Sequence, residues 1–153
     1  MTEYTNYEIH VFELNGFLNG IRCSIGIPSR KLGAVLIPKE GKSLREISEH
    51  VVASNSEINN IESKMFASFE DIKRVFESQI YSKYKNLDRE SLINLDWNLV
   101  EYYGLIATSE NPEGKWNPLV SEESYLFEVE MSDHHRQKLI FVEYEKFVVL
   151  TWL

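Results

Sequence analysis

The sequence predicts an α+β fold, an antiparallel sheet from N- and C-terminal strands packed on a central helical segment. Three observations predict it. Segments rich in β-branched and aromatic residues lie at both ends of the chain. Apolar residues in the middle recur at helical spacing, and no alternating βαβ pattern suggests a doubly wound parallel sheet. With 153 residues, 43% of them apolar and 26% charged, the chain reads as one domain, 1–153, with a sizeable core.

Residues 7–14 alternate imperfectly and read as a strand. Asn15-Gly16 is a hairpin signal. Residues 17–27 follow with Phe17, Ile21, Cys23, Ile25 and Ile27 in phase at spacing two, and Asn19-Gly20 marks a second turn or a bulge. On that phase Cys23 is a small core residue. Pro28-Ser29-Arg30-Lys31 is a turn, and residues 33–37 form a third strand ended by Pro38.

Ser43-Leu44-Arg45-Glu46 is a capping box, followed by Leu44, Ile47 and Val51 at helical spacing. The pattern weakens near Ser54-Asn55-Ser56 and resumes in Ile58, Ile61 and Met65. Ser68 with Asp71 starts a further helix, whose stripe is Phe69, Ile72, Phe76, Ile80 and Tyr84, with Val75 beside it. Such a stripe is core packing rather than a cofactor box. Asp88 caps a short helix through Leu95, residues 97–107 suggest a strand, and residues 109–118 form a loop with two prolines and Trp116. That Trp is either tucked onto the sheet or exposed for contact.

Residues 125–131, 138–144 and 147–153 carry three strand signatures without Gly or Pro. A loop over residues 132–137 sets Val129 opposite Ile140 and Phe127 opposite Val142. A two-residue turn at Glu145-Lys146 sets Val142 opposite Val149. One face is then Tyr125, Phe127, Val129, Ile140, Val142, Tyr144, Phe147, Val149 and Thr151. The other mixes Glu128, Glu130 and Glu143 with Leu126, Leu139, Phe141, Val148, Leu150 and Trp152. A one-residue slip would exchange the faces.

The net charge is −8, and residues 101–153 contribute ten acidic against four basic side chains. That balance argues against nucleic acid or an anionic membrane as partner and suits a basic protein. It also serves solubility alone. One cysteine allows no intramolecular disulfide, and no basic-then-apolar leader or apolar run near ~20 residues is present, so a cytoplasmic location is expected.

No catalytic motif, metal spacing or phosphate loop is present, so no cofactor is expected. Asp133-His134-His135 could reach a metal, but no further ligand is spaced to help, and a polar hairpin loop is the simpler reading. Paired carboxylates beside aromatics could also serve as acid and base of a small enzyme or line a ligand pocket. The stronger reading is a partner-binding surface of Glu128, Glu130, Glu143, Phe141, Asp133 and Trp116. There carboxylates speed association and aromatics supply affinity. A monomer or weak dimer is expected.

In size, α+β order, acidity and the acidic, aromatic stretch from Tyr125 to Trp152, the chain resembles small bacterial immunity proteins of contact-dependent growth inhibition systems. The resemblance implies stoichiometric neutralisation of a cognate toxin domain, basic if it is a nuclease.

Overall fold

The computed structural model describes residues 4–25, 31–79, 102–103 and 124–153. In chain order the elements are α1 (Asn6–Ile25), β1 (Gly33–Pro38), α2 (Leu44–Ser54), β2 (Ile58–Phe66), α3 (Phe69–Gln79), β3 (Tyr125–Met131), β4 (Arg136–Glu143) and β5 (Phe147–Trp152). The strands form one antiparallel sheet in the order β1-β5-β4-β3-β2. The fold is α+β, with the sheet drawing on the N- and C-terminal parts of the chain.

The first segment departs from its predicted form. Residues 7–25 do not make a hairpin; the chain is helical from Asn6 to Ile25, and Gly26 and Ile27 lie outside the described residues. Thr5 and Glu8 close a capping box. The Thr5 N–H donates to the Glu8 carboxylate at 2.7 Å, and the Thr5 hydroxyl oxygen accepts from the Glu8 N–H at 3.4 Å. Val11, Leu14, Leu18 and Ile21, spaced three, four and three apart, turn one stripe inward. That stripe outweighs the Asn15-Gly16 turn signal. Cys23 therefore stands exposed on the helix rather than in the core.

The predicted starts of α2 and α3 are present. The Ser43 hydroxyl accepts from the Glu46 N–H at 3.1 Å, and the Ser68 hydroxyl accepts from the Asp71 N–H at 3.2 Å. Between these helices the expected helical run through Ile58, Ile61 and Met65 is instead β2, an edge strand. Its register against β3 shifts twice, between Ile58 and Asn60 and between Ile61 and Ser63. Each shift inserts a residue, so same-face side chains fall three apart and imitate helical spacing. Tyr102 and Tyr103, read as part of a strand, are helical. The expected helix at Asp88, the strand elsewhere in residues 97–107 and the Trp116 loop lie outside the described residues.

Both faces of the central strands are buried. On one, Leu126, Ile140, Val142, Tyr144, Phe147 and Val149 pack with the α1 stripe and with Ile72, Val75 and Phe76 of α3. On the other, Tyr125, Phe127, Val129, Leu139, Phe141, Val148 and Leu150 pack with Leu44, Ile47 and Val52 of α2. The Glu145-Lys146 turn has the predicted register, Val142 opposite Val149 and Ile140 opposite Thr151. The β3–β4 register does not. Phe127 faces Leu139 and Leu126 faces Ile140, three residues from expectation. The cause is the loop. Met131 N–H donates to the His135 carbonyl and His134, at φ 67°, takes the left-handed position. That makes a three-residue loop of Ser132, Asp133 and His134 instead of a six-residue one. An odd slip exchanges faces, so the β3 aromatics sit with Phe141 and not with Val142.

No helix among the described residues is long and apolar enough to cross a membrane.

Candidate functional site

The face exchange divides the predicted acidic surface. Glu128 and Glu130 lie on the α1 and α3 side of the sheet, whereas Glu143, opposite Val148, lies on the α2 side. The three carboxylates do not form one rim. Each also has a basic side chain close by. Glu128 pairs across the strands with Lys138, Glu143 pairs with Lys39, and Glu130 lies 3.9 Å from His134 Nδ1. Phe141 is wholly buried between its neighbours and meets Phe127 edge-on at 5.5 Å, so it offers no contact to a partner in this fold. Asp133 is exposed at the hairpin tip, where it accepts from the His135 N–H at 3.2 Å and lies against the His135 ring. Trp116 is outside the described residues.

Among the described residues no group of three or more His, Cys, Asp or Glu is placed to hold a metal ion. The groove between α1 and β1 has a volume of about 230 Å³ and is lined by Glu8, Val11, Phe12, Asn15, Ala34, Val35 and Leu36. Its one carboxylate is the capping Glu8, whose pKa is lowered by the hydrogen bonds from Thr5. No second ionisable group in its lining offers an acid–base pair.

A surface the sequence reading missed lies on β2. Eight of its nine residues are exposed, among them Ile61 at 49%, Met65 at 53% and Phe66 at 66%. The Phe66 ring stacks on Tyr125 with centroids 4.8 Å apart, so it extends the aromatic face beyond the cover of α2. Lys64 folds back over the Tyr125 ring, its ammonium 4.7 Å from the centroid and 3.2 Å from the Glu49 carboxylate. Glu62 is held by Arg136 at 3.3 Å.

The two edges of the sheet differ. On β1, the Lys39 N–H just past the strand donates to Lys146, so alternate residues turn their backbone groups outward. Ala34 is one of these, and the Asn15 side chain takes both its N–H and its carbonyl. On β2, the Ala67 N–H donates inward to the Ser124 carbonyl. Met65 and Ser63, opposite Leu126 and Glu128, are in phase with it. The backbone groups of Lys64 and Phe66 therefore point away from β3, and no described strand pairs with them.

The signal that could have revealed β2 is Asn59, Asn60 and Ser63 among its apolar positions. Those residue types disfavour a helix interior. No family model matches the chain, and no curated protein or solved structure matches it.

Proposed function

We propose that this chain is a non-catalytic protein-binding domain that neutralises a basic toxin domain by stoichiometric occlusion, as the immunity proteins it resembles do. The observation that carries the reading is the open strand β2. It exposes Ile61 and Phe66 on one sheet face and Met65 on the other, and exposed apolar groups along an unpaired edge support an interaction surface. The chain's net charge of −8 favours a cationic partner and fast encounter. The alternative, a small enzyme or ligand-binding domain, needs converging ionisable groups in a cleft. The α1–β1 groove supplies a single carboxylate already engaged in capping.

Calorimetric titration against the product of the neighbouring gene tests the proposal. The expected result is a one-to-one complex that abolishes the toxin's activity and weakens at least tenfold in Ile61→Asp with Phe66→Asp. A complex that leaves the toxin active, or turnover of a small substrate by the purified chain, overturns it.

A further inference from the structure

We infer that the partner engages β2 by strand addition, contributing a basic extended segment that becomes the sixth strand of the sheet. The inference rests on the protein-binding reading and specifies its mode. Four observations carry it.

First, the outward backbone groups of Lys64 and Phe66 are unpaired by any described strand, whereas on β1 the outward groups of Ala34 are closed by Asn15. Strand addition satisfies such groups with main-chain hydrogen bonds and takes specificity from alternate side chains. Second, both register shifts lie before Ser63, so the residues from Ser63 to Phe66 pair regularly with β3. Bulges and edge lysines normally protect an open edge. Here the bulges spare the second half of the strand, and Lys64 is drawn over Tyr125 by Glu49 rather than projecting from the edge. Third, the side chains flanking those backbone groups are apolar on both faces, Phe66 on the α2 side and Met65 on the other.

Fourth, the charge selects the occupant. From Glu57 to Asp71 the chain carries Glu57, Glu62, Glu70 and Asp71 against Lys64 alone. Lys64 pairs with Glu49, Glu62 with Arg136 and Asp71 with Arg74, which leaves Glu57 and Glu70 with no described cation. A segment alternating apolar residues with Lys or Arg matches that surface. A second copy of this chain does not, because it would bring two acidic stretches together.

The test uses the whole chain, labelled for amide exchange by NMR, and an eight-residue synthetic peptide alternating Lys and Val. The expected result is at least tenfold slower exchange at the Lys64 and Phe66 amides with this peptide and no change with its Glu-for-Lys counterpart. Phe66→Pro should remove the effect while the fold persists, since its N–H points away from β3 and proline there breaks no ladder bond. Phe66→Ala, which keeps the N–H, should retain most of the protection. Should Phe66→Pro fail to fold, a Lys-Val peptide methylated on alternate backbone nitrogens makes the same cut from the other side and must not protect. Protection equal with the acidic peptide, protection elsewhere, or protection that grows with protein concentration alone overturns the inference. A toxin bound equally well by wild type and Phe66→Pro also overturns it, while leaving the protein-binding reading intact.

Discussion

The carboxamide of Asn15 acts as a sixth strand in miniature for Ala34, donating to its carbonyl at 2.5 Å and accepting from its N–H at 2.7 Å. One side chain on α1 thereby closes the β1 edge at Ala34 and ties the helix to the sheet. Asn15→Ala leaves two backbone groups without partners and should destabilise by ~1–3 kcal/mol. Asn15→Asp keeps the acceptor but sets a carboxylate against the Ala34 carbonyl, and should cost at least as much at neutral pH. Urea denaturation midpoints with unchanged slope check both. Midpoints equal to wild type would remove the edge-closing role.

Gly16 distinguishes the helix from the hairpin suggested by the sequence. A Cβ there meets nothing within 4 Å, and the residue lies inside α1. In a helix Gly16→Ala should stabilise by ~0.5–1 kcal/mol. In an Asn-Gly hairpin turn, with φ positive, the same change would destabilise. The sign of the shift in thermal midpoint decides between them.

Gly33 is glycine because of Trp152, its cross-strand neighbour. A Cβ at Gly33 would lie 2.4 Å from Trp152 Cζ2, so the indole occupies the space above the glycine. Gly33→Ala should cost ~1–3 kcal/mol through displacement of the ring. Placed on Trp152→Ala, the substitution should cost far less. A double-mutant cycle in chemical denaturation measures the coupling, and additive costs would show that the ring and the glycine do not constrain each other.

Tyr103 gives the fold an alkaline limit. Its hydroxyl lies 2.6 Å from Thr151 Oγ1 inside the core, and burial pushes its pKa up to about 12 despite the Thr151 hydrogen bond. The unfolded tyrosine ionises near ~10. Between those values the unfolded state has lost the proton and the folded state keeps it. Stability is therefore complete below about pH 10 and declines toward pH 12, by ~1.4 kcal/mol per pH unit for this one group. Tyr103→Phe should be less stable at neutral pH, through loss of the Thr151 contact, and should lose this component of the alkaline decline. Denaturation series at pH 9, 10 and 11 on both proteins check it; parallel declines would assign the limit to other groups.

The sequence was most readable where one local rule acted alone. The Ser43 and Ser68 N-caps and the buried Phe76 needed only neighbours within one helix. The Glu145-Lys146 register followed from a two-residue turn. It misled where two rules competed. Asn15-Gly16 signalled a turn, yet Thr5 with Glu8 and the stripe from Val11 to Ile21 favoured a helix, and burial decided. In β2, inserted residues gave Ile58 and Ile61 helical spacing on one sheet face. The acidic surface failed through loop length alone. A three-residue turn at Asp133 moved Glu128 and Glu130 to the opposite side from Glu143. Lys138, which pairs with Glu128, is placed by that same register, whereas Lys39 reaches Glu143 through the pairings of β5 with β1 and β4.

The strand order also sets a timetable for synthesis. β1 and β2 are made early but stand at opposite edges, and the three strands between them come last. Gly33 pairs with Trp152, so β1 has no ladder partner until residues 147–152 have left the ribosome. Pairings so distant in sequence carry a loop-closure cost before any contact forms and slow the search. The nascent chain therefore carries α1 with its inward stripe uncovered and two strands unpaired through most of translation. Exposed apolar surface and open strand edges of this kind attract chaperones and aggregation. A ribosome-stalled chain ending before β5 should accordingly be protease-sensitive throughout, with protection gained in a single step once that strand emerges.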